Sequence, residues 1–357
     1  MRIIGAIILI FINELGSKSQ QIETGNITPI LIPCTAVKDQ HLSGTCWSFA
    51  GNSFLESELL KKGIKEIDLS EMFIAKNAWE QKAILHIQYQ GQNHLTPGGQ
   101  FHNMVWAIKK YGLLPEEVYT CKKHGTLHHN HSILDTALTR YITLIANQQK
   151  TGLSTNDRQF IQQTLHTNLG TPPASFTFKG KNYTPTSFFA SLPLQLDDYI
   201  EITSYTHHPF YQPFVLENKY NYSYEKYMNV PLVDFVAIAD SALAKGYTVL
   251  WNGDVTDEGF NFYNGTALLY DVMDVAKERQ QSFEDSTSYM DHMMHIVGYA
   301  KDKEDRKWYY IKNSWGVGSS LQGYLLMDEN YFAIKTAAIV VNKNGIPTHI
   351  LNKFSQQ

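Results

Sequence analysis

The sequence predicts an α+β fold, because helical periodicity fills its first half, strand-forming segments close its second, and a charged turn splits two of those strands. The helical evidence begins at Cys46. Ala50 and Phe54, then Leu55 and Leu59, recur four apart with Glu56 and Glu58 between them, and Gly63 supplies a stop. This reads as an amphipathic helix. Asp68-Leu69-Ser70-Glu71 looks like a second helix start, and Pro97-Gly98-Gly99 is a tight loop before helical residues Met104 to Lys110, which end at Tyr111-Gly112. The middle of the chain, about 122–235, alternates helical segments with loops rich in Tyr, Pro and Asn, without repeats. From about residue 247 strands dominate: Thr248 to Trp251, His295 to Ala300 and Trp308 to Lys312, with Lys301 to Lys307 as a hairpin turn.

At 357 residues, 43% hydrophobic and 18% charged, the chain has the composition of an ordinary globular protein with a sizeable core. A net charge of -4 gives no reason to expect a nucleic-acid or acidic-membrane partner. Three cysteines, Cys34, Cys46 and Cys121, do not make a disulfide scaffold. If Cys46 is a free thiol the remaining pair is Cys34–Cys121, and the sequence leaves open whether it forms. Met1-Arg2, the apolar run Ile3 to Ile12 and the polar stretch Asn13 to Gln21, with Ser17-Lys18-Ser19, read as a signal peptide over residues 1–19. That predicts export to a periplasm or the medium. The other reading, a buried N-terminal strand, predicts a cytoplasmic protein. No apolar run is long enough for a membrane-spanning helix.

A thiol is a nucleophile only as thiolate, and a helix N-terminus or a nearby imidazolium favours that anion. Cys46 follows the turn Ser43-Gly44-Thr45 at the head of a helix, so the first device applies. An isolated cysteine there is more simply a small core residue. Its neighbourhood decides: Gln-x5-Cys-Trp-Ser-Phe, from Gln40 to Phe49, resembles the active-site signature of the papain family of cysteine peptidases. The resemblance implies that Cys46 is the nucleophile and that Gln40, with the Cys46 N–H, forms the oxyanion hole. Many members of the family carry a bridged cysteine where this chain has Ser43, so here the loop must hold its shape without that bridge.

The base is one of two histidines, His292 or His295. If Ala300 pairs with Lys307 across the hairpin, His292 faces Trp315 diagonal to Asn313, while His295 faces Lys312 on the other side. A slip of one residue reverses the choice. The resemblance separates them: Asp-His-x5-Gly-Tyr from Asp291 and Lys-Asn-Ser-Trp-Gly from Lys312 are similar to the family's His and Asn motifs. They imply His292 as base, Asn313 as its orienter, Trp315 as a shield over that bond, and Asp291 in a supporting place.

Pro97-Gly98-Gly99 resembles the family's substrate loop, implying that Gly98 and Gly99 present backbone groups to peptide; a plain turn is the alternative. About 246 residues separate Cys46 from His292, and few precede Cys46. A large insertion without a long propeptide resembles the bleomycin hydrolase and aminopeptidase C branch. That branch implies a two-lobed papain-like fold, with a helical lobe and a barrel-like sheet lobe, and a mainly helical insertion at about 122–235. It also implies a C-terminal arm, 340–357, lying in the cleft, and barrel-shaped homo-oligomers. The function expected is a thiol aminopeptidase acting on peptides with free N-termini, with no cofactor beyond a reduced Cys46. An endopeptidase or dipeptidase is the alternative, and a non-catalytic binding protein another, against which the intact Gln40, Cys46, His292 and Asn313 argue. His124, His128, His129 and His131 lack zinc-site partners, so no metal is expected.

Overall fold

A computed structural model describes residues 27–122, 128–150, 152–270 and 272–354; the signal-peptide reading lies outside them. A short strand, β1 (Ile30–Leu31), precedes the nucleophile helix α1 (Cys46–Lys61). α1 is not amphipathic. Every residue from Trp47 to Leu59 is buried, Glu56 and Glu58 among them. The reason is position: α1 lies between the two lobes, and Ser48, Ser53, Glu56 and Glu58 each meet a partner on another segment. Ser48 Oγ donates to the Glu71 carbonyl at 2.7 Å. Glu56 accepts the Leu69 N–H at 2.8 Å and the Thr35 hydroxyl at 2.5 Å, and Glu58 accepts Asn342 Nδ2 at 2.6 Å.

α2 (Glu71–Gln88) starts at the expected signal, with Ser70 Oγ accepting the Phe73 N–H at 3.2 Å. α3 (Phe101–Tyr111) stops at Gly112, whose φ of +80° and contact with Pro185, 2.2 Å from where a Cβ would sit, both require glycine. α4 (Ser132–Ala146) and α5 (Thr155–Leu169) pack on α2 through Trp79, Ala83, Leu138 and Leu165. A small hairpin, β2 (Phe176–Phe178) with β3 (Lys181–Tyr183), and α6 (Pro185–Ser191) complete this lobe.

The insertion is mainly helical through α4, α5 and α6, but its later part adds strands that were not expected. β4 (Tyr199–Thr203), β5 (Pro213–Val215) and β6 (Lys226–Asn229) extend the main sheet instead. Tyr199 serves the helical core while Ile200 and Ile202 serve the sheet core, the alternation a strand between two layers needs. After α7 (Leu232–Ala244) come β7 (Val249–Gly253), β8 (Phe260–Asn261), β9 (Thr266–Ala267) and α8 (Val275–Glu284). Next are β10 (His292–Lys301), β11 (Lys307–Lys312), β12 (Tyr324–Asp328), α9 (Glu329–Lys335), β13 (Thr336–Asn342) and α10 (Thr348–Phe354). The sheet order is β5-β6-β4-β13-β7-β10-β11-β12-β9-β8, with β1 also on β10.

Two expectations need correcting. At the tip of the β10–β11 hairpin Ala300 pairs with Trp308, one residue off the assumed register; a bulge at Val297 restores it, so His295 faces Lys312 as expected. As far as Phe354, the expected C-terminal arm is not in the cleft. Val340 to Asn342 belong to β13 between β7 and β4, and Ile346, Ile350, Leu351 and Phe354 pack on the sheet-lobe core because they are apolar. Residues 355–357 lie outside the described ones. Cys34 and Cys121 are unpaired, Cys34 beside the Tyr324 hydroxyl and Cys121 packed in the helical lobe.

The lobes are tied through Ser53 of α1, whose Oγ lies 2.8 Å from His295 Nδ1 and accepts Lys312 Nζ at 2.8 Å. Ser53→Ala strands the buried His295 Nδ1, while Lys312 Nζ keeps the Thr35 carbonyl and hydroxyl. Urea denaturation should show a loss of about 2–3 kcal/mol, the cost of an unpaired buried polar group, with kcat/KM little changed in the folded fraction.

Candidate active site

The turn before α1 carries the first part of the site. Thr45 precedes the helix without a side-chain cap and no acidic residue occupies the first turn, so the Cys46 and Trp47 N–H groups are uncovered by side chains. Gly44, at φ +63°, packs on Pro97, where a Cβ would lie 2.8 Å from the proline ring. The missing disulfide at Ser43 is replaced by the start of the insertion. The Leu42 N–H donates to the His129 carbonyl at 3.1 Å and the His131 N–H to the Leu42 carbonyl at 2.9 Å. The His41 and His128 rings stack at 4.5 Å. The histidine cluster, as far as it is described, is therefore a brace; His124 lies outside.

A short ladder joins this turn to the asparagine motif. The Gln40 N–H donates to the Ser314 carbonyl at 2.8 Å and the Gly316 N–H to the Lys38 carbonyl at 3.2 Å. Ser314 Oγ donates to Gln40 Oε1 at 2.7 Å, which leaves Gln40 Nε2 as the amide's free donor. Asn313 Oδ1 accepts both the Ser314 N–H at 2.7 Å and His292 Nε2 at 2.8 Å. With its proton on Nε2, His292 keeps Nδ1 as a base. Trp315 covers the ring at 4.5 Å and is itself held edge-on by Phe262 at 5.2 Å. Gln40, Cys46, Gly98, Gly99, Asp291, His292 and Trp315 all line one cleft of about 270 Å³, at the small end for ligand sites. Asn313 lies behind His292, and His295 is buried on the opposite face of β10 against Ser53.

Burial pushes the Cys46 thiol up to about 11, against the Met293 and Trp47 backbone N–H groups that favour the thiolate. Burial likewise pushes His292 down to about 4, against the Asn313 hydrogen bond. Between those values the two groups together hold one proton, which passes from sulfur to Nδ1 as the nucleophile attacks. Asp291 accepts the Val255 N–H at 3.2 Å, and burial raises its carboxyl to about 6. Its hydrogen bond goes to backbone rather than to His292.

Gly99 touches the Trp47 ring so closely that a Cβ would sit 2.9 Å from it. Behind this loop the Pro97 carbonyl accepts Trp47 Nε1 at 3.1 Å and Lys82 Nζ at 2.7 Å. Lys82 is buried against Trp79, Trp47 and Tyr222, and desolvation lowers it to about 7. Sequence reasoning missed Ser314 and Lys82 as positioning residues. The signals were a small hydroxyl beside Asn313 and a lysine on the apolar face of α2.

Two clusters have metal-ligand spacing among the described residues. Glu56, Asp68 and Glu71 surround Lys38 Nζ, which bonds Asp68 and Glu71 directly. His207 and His208 turn Nε2 toward Glu217 at 3.3 and 2.5 Å. Gln280 Oε1 takes the Thr206 N–H, so its Nε2 donates to His207 Nδ1 and the His207 proton sits on Nε2, facing Glu217. That tautomer bonds the carboxylate and cannot ligate a metal through Nε2.

Gln40→Ala should lower kcat by about 100- to 1,000-fold, the usual cost of one oxyanion donor, and Ser314→Ala by roughly tenfold through a loosened Gln40; steady-state kinetics on a peptide amide read both. Lys82→Met should raise KM with kcat nearly unchanged, because it releases the substrate loop and leaves the reacting groups in place.

Residues 13–357 match the family model described as Peptidase C1-like family. The chain is 25% identical to aminopeptidase G of Lactobacillus delbrueckii subsp. lactis, over 87% of this chain and 82% of the relative. It is 25% identical to aminopeptidase C of Streptococcus thermophilus, covering 96% and 88%, and 24% identical to human bleomycin hydrolase, covering 90% and 83%. Among solved structures, PepW of Lactobacillus rhamnosis HN001 superposes with a TM-score of 0.70 at 20% identity, covering 91% of this chain and 84% of that one, a likeness of fold. A papain-like α+β fold and a match over nearly the whole chain lead to one conclusion: the protein belongs to the Peptidase C1-like family of cysteine peptidases.

Proposed function

We propose that the protein is a thiol aminopeptidase that hydrolyses the first peptide bond of peptides with a free N-terminus. The observation that carries the reading is the shared cleft in which Cys46, at the head of α1, meets His292 held by Asn313, in a chain whose relatives bear aminopeptidase and bleomycin hydrolase names. Cys46 gives its proton to His292 Nδ1 and its sulfur attacks the scissile carbonyl. Gln40 Nε2 and the Cys46 N–H receive the oxyanion. The tetrahedral intermediate collapses as His292 protonates the leaving amine, and a thioester remains. His292 then takes a proton from water, whose oxygen attacks the thioester and releases the acid and the Cys46 thiol. Export by the N-terminal segment and assembly into a homo-oligomer belong to the same proposal; cell fractionation and light scattering test them.

Hydrolysis of an aminoacyl fluorogenic amide and its N-acetylated twin, under reducing conditions, decides the reading. The free amine form should be cleaved, the acetylated form should not, and Cys46→Ala should abolish turnover with the fold intact. Efficient cleavage of the acetylated form makes the protein an endopeptidase. The acid limb of kcat/KM should have its midpoint near 4, below the ordinary histidine value of about 6.5. Activity is present above that midpoint and lost as pH falls through it, when His292 takes a second proton for the pair. Asn313→Ala should lower both kcat and the midpoint, because the lost hydrogen bond favours imidazolium.

A further inference from the structure

An aminopeptidase must stop the substrate from extending past its first residue, and here the described C-terminal residues pack on the sheet lobe, away from the cleft. Among the described residues, another element has to do it. In the mechanism above, the amine leaves toward His292 and Trp315, so the acyl part of the substrate runs the other way, along Gly98 and Gly99. That direction leads into Gln100, the next residue, which caps α3 and lines the cleft with Asn252, Met290 and Tyr220.

These residues span the groove. Asn252 on β7 of the sheet lobe donates Nδ2 to Gln100 Oε1 of the helical lobe, and Gln100 Nε2 reaches the Tyr220 carbonyl at 3.4 Å. Both amide side chains are buried, and the Gln100 N–H is fixed by Asn103 Oδ1 at 2.8 Å. Tyr220 comes from a loop, 216–224, within the insertion, and that loop is bonded to the helical lobe at several points. Asn93 Nδ2 donates to the Tyr222 carbonyl at 2.9 Å, Asn103 Nδ2 to Ser223 Oγ at 2.9 Å, and the Tyr222 hydroxyl to Gln81 Oε1 at 3.2 Å. Asn221 Nδ2 ties the loop to itself through the Glu225 carbonyl at 2.9 Å. The Tyr220 ring lies edge-on to His94 at 5.3 Å. A loop held this way is a wall.

We infer that the Asn252–Gln100–Tyr220 bridge closes the acyl end of the cleft and admits a single residue there, so that the insertion loop enforces the free N-terminus. The inference rests on the aminopeptidase reading. The substrate it defines is a peptide whose first residue carries an unblocked amine. That amine lies next to the attacked carbonyl's α-carbon, where a preceding acyl group would run into the amide bridge.

The test compares three fluorogenic amides sharing one C-terminal residue: aminoacyl, N-acetyl-aminoacyl and dipeptidyl. Asn252→Ala and Gln100→Ala, each of which removes a side chain of the bridge, are assayed beside the wild type, and circular dichroism of each recognises a poorly folded variant. The wild type should cleave the aminoacyl amide at least about 100-fold better than the other two, a steric discrimination. Either variant should raise the relative kcat/KM for the extended substrates by about tenfold or more. Ending the chain after Phe354 should leave the ratios unchanged. An aminopeptidase whose ratios move in neither variant, or move on that truncation, overturns the inference and spares the functional reading. So does a wild type that cleaves the dipeptidyl amide as well as the aminoacyl one. A wild type that cleaves the acetylated amide freely overturns both.

Discussion

Everything at the site depends on how α1 is seated. A helix with only apolar contacts on one side and water on the other could rock against its sheet. α1 has no wet side, and four of its polar residues instead reach separate segments: the start of α2 through Ser48, the loop after β1 through Glu56, β13 through Glu58, and β10 with β11 through Ser53. Hydrogen bonds are directional, so these contacts set the helix's rotation and its advance along its axis, which apolar packing alone leaves looser. The position of the first residue, Cys46, follows from both.

The second consequence of that seating is electrical. The same burial that fixes the nucleophile makes an isolated thiolate or imidazolium costly, and the protein answers with oriented groups and no added charge. Backbone N–H groups of Trp47 and Met293 meet the sulfur, and an amide oxygen of Asn313 meets the ring. Ser314 links the two halves of the chemistry, since one residue holds the oxyanion amide through its hydroxyl and the orienting amide through its N–H. Charge development and proton transfer are thereby registered to one backbone turn.

Much of this was legible because short motifs carry local geometry. Gln40 and Cys46 are joined by one turn, and His292 and Asn313 by one hairpin, so spacing along the chain translates directly into spacing in the cleft. The α1 pattern misled because its glutamates were read as solvent-facing; burial with a partner depends on residues such as Asn342 that lie far away in sequence. The sheet character of Tyr199–Thr203 was hidden for a similar reason, as its neighbour β13 comes near the end of the chain. The loop at Tyr220 was illegible because its meaning lies in what the insertion folds against, and Lys82 left only the faint signal of a lysine among apolar neighbours.

The bulge at Val297 has a consequence for how such a chain tolerates change. On its inner side the β10–β11 pairing is locked to the reactive histidine; on its outer side the strands run in a different phase up to an exposed tip at Lys303 to Arg306. A single extra residue absorbs the mismatch, much as an expansion joint lets one span of a bridge lengthen while its neighbour stays anchored. The outer span is therefore the place where this molecule can accept a grafted epitope or a spectroscopic label without its reacting groups registering the strain.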